Sequence, residues 1–282
     1  AAEAPPPPAR ATPLVPRMLS ILRELIARRG LLATLTARDL KARYRGSVLG
    51  FLWSLANPLL LLAVYTFVFG VVFRQRALTQ PYSLFLLCGL FPWVWFATAL
   101  TEGTVALVAN SALLRRAVFP VELLPMVAVL ANLLHFLLAL PVLAVALLAG
   151  RLLGYPVGGW SALALPVVIL LQLVMTGGLA LGLAALHVHF KDVKDLLANL
   201  LALLFFLTPI LYPLAAIELP ALTYVVRVSP MTPFALGYQE LLFHGRLPGP
   251  WLWAQMLGVA AVAWLAGAGL FARLRETLVE AA

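Results

Sequence analysis

Charge is what this sequence has least of. Asp, Glu, Lys and Arg make up 11% of its 282 residues, where a water-soluble domain carries about a quarter. A fold with one large water-facing surface is thereby excluded. A lone cysteine, Cys88, rules out an internal disulfide and says nothing of redox compartment. No G-x-x-x-x-G-K-[ST] phosphate loop occurs, so ATP is not bound by that route, and neither a G-x-S-x-G elbow nor an H-E-x-x-H zinc pair is present. Carboxylates inside apolar stretches are too few for the proton relays of ion-coupled transporters. The opening AAEAPPPPAR has no apolar leader core; residues 1–17 are expected to form a disordered, proline-rich tail.

What fills the chain instead is apolar: 63% of residues are hydrophobic and the mean hydropathy is +1.00. This composition predicts an all-α polytopic membrane protein. Six spans are expected, near 48–73, 82–108, 121–149, 161–187, 196–216 and 251–271, within a transmembrane domain of residues 48–271. An even number of crossings puts both ends on one side. Fifteen Lys and Arg then fall on that side and five on the other (Arg74, Arg76, Arg151, Arg227 and Arg246). The asymmetry predicts cytoplasmic termini, with residues 272–282 as an inner tail. Read this way, the net charge of +9 reflects topology and not nucleic acid.

Residues 18–47 are expected to lie on the inner face as interface helices. Met18, Ile21, Leu22, Leu25 and Ile26 form an apolar stripe flanked by Arg23, Glu24, Arg28 and Arg29, the pattern of an amphipathic helix in the membrane interface. A second helix is expected after Gly30. It leads into the basic block Arg38, Lys41, Arg43 and Arg45, beyond which no charge occurs from Val48 to Phe73. In a helix Arg38, Lys41 and Arg45 share one face. Spacing alone favours an ordinary anchor for the first span; the other reading is a stripe that meets anionic lipid or the phosphate of a lipid-linked substrate.

The second span contains GLFPWVWF, in which Pro92 predicts a kink. For Trp93 and Trp95 the interfacial belt is the default reading and a pore wall the alternative. Glu102, inside the same span, either lines a conduit or bonds a neighbouring helix. The loop NSALLRRAVFPVELLP carries Arg115 and Arg116 between two spans. His135 and Pro141 read as a packed polar residue and a kink. Gly178 and Gly182 have the small-xxx-small spacing of closely packed helices, within or between subunits. His187 and His189 point apart on a helix, which speaks against a metal site with Asp192. After LFFLTPILYPL, prolines interrupt short apolar stretches too short to cross, so residues 213–250 are expected to be an external segment of re-entrant or interfacial helices.

Four stretches carry a resemblance. RDLKARYRGSVLGFLWSLANPLLLLAVYTFVFGVVF has the order RDLKxRYRGSxLGxLWxxxxPLLxxxVYxxVFxxVF, AVFPVELLP is similar to VYFPREILP, FKDVKDL to FRDVxHL, and VSPMTPFALGYQELLF to LNPLTPxIxxYRxxLL. Together they resemble the permease subunits of polysaccharide and polyol-phosphate ABC exporters, the ABC-2-type proteins that export O-antigen, capsule and teichoic-acid chains. The resemblance covers nearly the whole chain after Met18. Val121 and Gln239 stand where the family commonly has basic residues.

The resemblance implies a type V exporter fold with an N-terminal interface helix, six spans and short re-entrant helices before the last one. It implies a homodimer working with two copies of a separate nucleotide-binding ATPase subunit, which holds ATP and Mg, so that this chain itself carries no cofactor, metal or catalytic residue. Residues 110–120 become a coupling helix docking on the ATPase, with Asn110, Leu114, Arg115, Arg116, Phe119 and Pro120 as its contacts. Arg38, Lys41, Arg43, Tyr44 and Arg45 become the headgroup interface. Trp53, Tyr65, Phe69, Trp93, Phe205, Phe206 and Tyr212 become the wall of a translocation path, because the family puts their spans around a central channel. Adjacent rings do not both face one pore by periodicity, so core packing is the default for Phe205, Phe206 and Tyr212. The function implied is export of a lipid-linked polysaccharide across the bacterial inner membrane. Two alternatives are a drug or small-lipid exporter of the same superfamily and an intramembrane enzyme acting on lipid-linked sugar.

Overall fold

The computed structural model describes residues 14–45, 80–111, 120–217 and 219–281, with scattered positions between 52 and 68; side chains are described for these except 14–20, 44, 220 and 276–281. The described residues form helices and no strand. Four helices are long and apolar enough to cross a membrane, covering Tyr82–Ala109, Leu123–Leu152, Trp160–His189 and Pro250–Arg275. Most of the first expected span, 48–73, lies outside the described residues.

Helix α1 (Leu14–Ala27) and helix α2 (Arg29–Tyr44) are separated at Arg28, not at Gly30 as expected. The backbone turns there without losing its ladder, since Arg28 N–H donates to Glu24 and Leu32 N–H to the Arg28 carbonyl. Gly30 is accepted inside α2 because its surroundings are open. α1 turns Ile21 and Leu25 into a core with Leu107, Leu123, Leu181 and Phe271, leaving Leu22 and Ile26 exposed. Its apolar stripe is thus divided between protein and surroundings.

Helix α3 (Tyr82–Ala109) is buried along most of its length and packs against helix α4 (Leu123–Leu152) and helix α5 (Leu165–His189). Pro92 does not interrupt it; the Pro92 carbonyl accepts from Gln172 Nε2 at 2.9 Å. Trp95 is 2% exposed, which overturns the expectation of a belt residue. It stacks on Phe136 with centroids 5.2 Å apart, and its Nε1 donates to the Val129 carbonyl. Pairing of Trp95 with Phe136 and of Glu102 with Asn132 shows that α3 and α4 run antiparallel.

Gly178 and Gly182 make their close contact within the chain, against helix α9 (Pro250–Ala281). A Cβ on Gly178 would lie 2.4 Å from Trp264 Cα, and one on Gly182 2.9 Å from Gly267 Cα. The two backbones touch because Gly178 and Gly182 of α5 and Gly267 of α9 carry no side chain.

Helix α6 (Val193–Leu207) ends well before the expected limit of 216. Pro209 has no N–H to continue the ladder and disfavours helix at Thr208. Thr208 Oγ1 lies 2.9 Å from Ser229 Oγ, and the Tyr212 hydroxyl donates to the Phe206 and Leu207 carbonyls at 2.9 and 3.2 Å. Those bonds cap the helix, so the expected fifth span is broken at Leu207. Two short helices follow, α7 (Pro220–Val228) and α8 (Thr232–Tyr238), the second running into a π-turn over Gln239–Phe243. Gln239, buried at 3%, donates to the Pro209 carbonyl at 2.8 Å. Ser161 Oγ donates to the Leu241 carbonyl, and Gly158 N–H to that of Leu242. Gly245 closes this segment with φ of +66°, the left-handed region that glycine adopts freely.

Candidate functional site

A cavity of about 950 Å³, open on one side, runs between α3, α4 and α6, with Leu60, Val64 and Tyr65 contributing from the first apolar stretch. Its two ends differ in chemistry because α3 presents different residues along its axis. Phe91 and Trp93 lie at one end, and Glu102 is nine positions on, about 13 Å along the helix.

Rings make the first end. Phe205 is the hub: it stacks on Tyr65 with centroids 5.4 Å apart and meets Trp93 at 5.6 Å and Phe206 at 5.3 Å. Trp93, 6% exposed, is a wall of this cavity and not a belt residue. Phe205 packs in the core, its default reading, and also borders the cavity, whereas Phe206, 60% exposed, stands at the cavity's edge. Tyr212 does not line it, since its hydroxyl is used at the end of α6. Trp53 and Phe69 lie outside the described residues.

Polar groups make the second end. The Arg43 fork reaches from α2 to Glu102 in bidentate form, Nη1 to Oε1 at 2.7 Å and Nη2 to Oε2 at 2.5 Å. The same guanidinium donates from Nε to Asp39 Oδ2 at 2.9 Å, one helical turn back. Burial alone disfavours the Arg43 charge, but Glu102 and Asp39 outweigh it and hold its pKa above the usual value. Asn132 Nδ2 donates to Glu102 Oε2 at 2.5 Å and to the Ala128 carbonyl at 2.9 Å. Glu102 thus bonds neighbouring helices, the second of its two sequence readings, and it also borders the cavity. His135, read from the sequence as merely packed, also lines the cavity.

Arg43 is thereby separated from its neighbours in the basic block. Arg38, Lys41 and Arg45 are exposed, and among the described residues none of them makes an ion pair. The Tyr44 side chain lies outside the described residues. Asn132 was not singled out by the sequence. The signal that points to it is Glu102 itself, because an intramembrane carboxylate needs donors on the helices around it.

In the expected coupling segment, Leu114, Arg115, Arg116 and Phe119 lie outside the described residues. Asn110 ends α3, its Nδ2 donating to the Ala106 carbonyl at 2.8 Å. Pro120 is buried and starts the turn into α4, with Leu123 N–H donating to its carbonyl. Val121, where the resemblance has a basic residue, is 4% exposed and packs in the core beside α1. His187 is buried and His189 exposed, its Nδ1 3.0 Å from the Ala185 carbonyl. Among the described residues no three His, Cys, Asp or Glu side chains gather as metal ligands.

The ABC-2 type transporter family profile matches residues 30–243. The chain is 39% identical over 265 residues to the O-antigen export system permease protein RfbA of Myxococcus xanthus, covering 93% of this chain and 99% of that one. An O-antigen export system permease protein RfbA of Klebsiella pneumoniae is 34% identical over 77% of this chain and 82% of its own. The polysialic acid transport protein KpsM of Escherichia coli is 24% identical over 67% of this chain and 72% of its own. With a family match over most of its length and a relative aligned nearly end to end, the chain belongs to the ABC-2 type transporter family.

Proposed function

We propose that the chain is the membrane-spanning half of an ABC exporter that moves a lipid-linked polysaccharide across the bacterial inner membrane, driven by a separate ATPase subunit. The observation that carries this reading is the ring wall of the large cavity, with Phe205 joined to Tyr65, Trp93 and Phe206. Rings stack on sugar faces by dispersion and by C–H contacts, and a row of similar sites favours sliding over trapping. The names of the relatives, O-antigen export permeases, support the same substrate class.

The working unit is a homodimer with two ATPase copies, both termini cytoplasmic. The exposed side of α2, with Arg38, Lys41 and Arg45, meets lipid headgroups or the phosphates that join polymer to lipid. The 110–120 segment, with Arg115, Arg116 and Phe119, docks on the ATPase and passes its motion into α3 and α4.

The test is complementation. A strain deleted for its own O-antigen export permease receives this chain with its ATPase, and polymer at the cell surface is measured. Export that requires both subunits supports the reading; polymer retained inside with both subunits present overturns it.

A further inference from the structure

The described wall of the cavity carries one arginine and no lysine, and that arginine is already neutralised. Arg43 bonds Glu102 through both terminal nitrogens and Asp39 through Nε. One guanidinium against two carboxylates leaves the cluster with one net negative charge. A proton on the nearby His135 brings the sum to zero and never to a positive value. The remaining polar lining is uncharged, from Asn132 and Thr98. Cations without a carboxylate partner exist on the same helix, but Arg38 and Lys41 sit on its exposed side, off the cavity. Among the described residues, the cations without a carboxylate partner on this helix thus lie outside the cavity, and its wall holds none.

We infer that the cavity passes an uncharged glycan and rejects a polyanion such as a sialic-acid or polyol-phosphate chain. The inference rests on the cavity being the polymer path. In a partly enclosed site of low effective dielectric, a carboxylate on every sugar meets Glu102, with Asp39 behind Arg43 adding to the negative charge, and no free cation on the described wall offsets them. A neutral sugar carries no charge for the cluster to repel, and the rings, the Asn132 amide and the Thr98 hydroxyl suit its faces and hydroxyls. Anions at the lipid end of the substrate have their own place on the outer side of α2, so a charged anchor and a neutral chain are read by different surfaces of one helix.

The full chain in lipid nanodiscs, at near-physiological salt, is offered a neutral mannose oligomer and a sialic-acid oligomer of equal length. Saturation-transfer NMR detects the weak binding expected of a sliding path. The neutral oligomer should bind about tenfold better than the anionic one, and Trp93→Leu should weaken its signal, which locates it in the cavity. Glu102→Gln keeps an acceptor for Asn132 and removes the charge, and should narrow the gap severalfold. Equal or tighter binding of the sialic-acid oligomer by the unmodified chain overturns the inference while leaving the path intact. An unchanged ratio in Glu102→Gln also overturns it. Binding of neither oligomer removes the cavity as the path and the inference with it. If Glu102→Gln fails to assemble, the ratio in the unmodified chain decides.

Discussion

Arg275 of α9 stands 3.4 Å from Glu122, a carboxylate with no exposed surface at the start of α4. Among the described residues neither Glu122 oxygen has a hydrogen-bond partner, and this ion pair offsets its burial. The pair joins the last helix to the point where the chain leaves the 110–120 segment. Arg275→Ala should strand the carboxylate and cost about 1–3 kcal/mol, less than a fully buried pair because Arg275 is half exposed. Glu122→Gln should cost less than Arg275→Ala, since it removes the charge that needs the partner. Thermal unfolding of detergent-solubilised protein checks the order, and equal losses would show that the pair is packing and not charge.

Gly267→Ala should loosen the α5–α9 contact, because its Cβ would fall 1.8 Å from the Gly178 carbonyl oxygen. Backbone cannot yield as a flexible side chain does, so a loss of about 2–4 kcal/mol is expected. Gly258, on the same helix, has nothing within 4 Å of its Cβ position. Gly258→Ala should be neutral or stabilising by about 0.5–1 kcal/mol. The same melting experiment compares the two; similar effects would rule out the close approach.

Tyr65→Leu and Trp93→Leu remove ring faces from the cavity while leaving an apolar side chain, smaller at position 93. Each should weaken a bound neutral oligosaccharide by about 1 kcal/mol, about fivefold. Export should slow or polymer length change, read from surface polysaccharide on gels. Unaltered polymer in the double variant would take these rings off the path.

Single cysteines at Arg115 and Arg227, in a Cys88→Ser background, should react with an impermeant thiol reagent from opposite sides. Cys88 is fully buried, so its removal serves only to silence slow labelling. Labelling of both from one side would end the six-span topology.

Much of the frame was legible because it rests on local facts. An apolar run long enough to cross predicts α3, α4, α5 and α9, and the proline-broken stretch over 213–250 predicts short helices. Rotational facts were not legible in the same way. α3 is apolar on nearly every face, so no periodicity tells whether Trp93 and Trp95 point to lipid, core or cavity. The Arg43–Glu102 pair joins residues 59 positions apart, and only the packed helices reveal it. The end of α6 was placed too late because Ile210, Leu211 and Leu214 continue the apolar composition past the proline that stops the helix.

The early stop of α6 bears on the lipid around it. Fifteen residues of helix rise about 22 Å, some 8 Å short of a hydrocarbon core of about 30 Å. A wall that short forces the bilayer to thin beside it or to meet the bent backbone of Pro209–Pro213 at membrane depth. In the first case hydrocarbon thins beside Phe206. A polar group moving there crosses less oil than along the longer helices α3, α4 and α5, so the shortest helix marks the lowest barrier to polar passage.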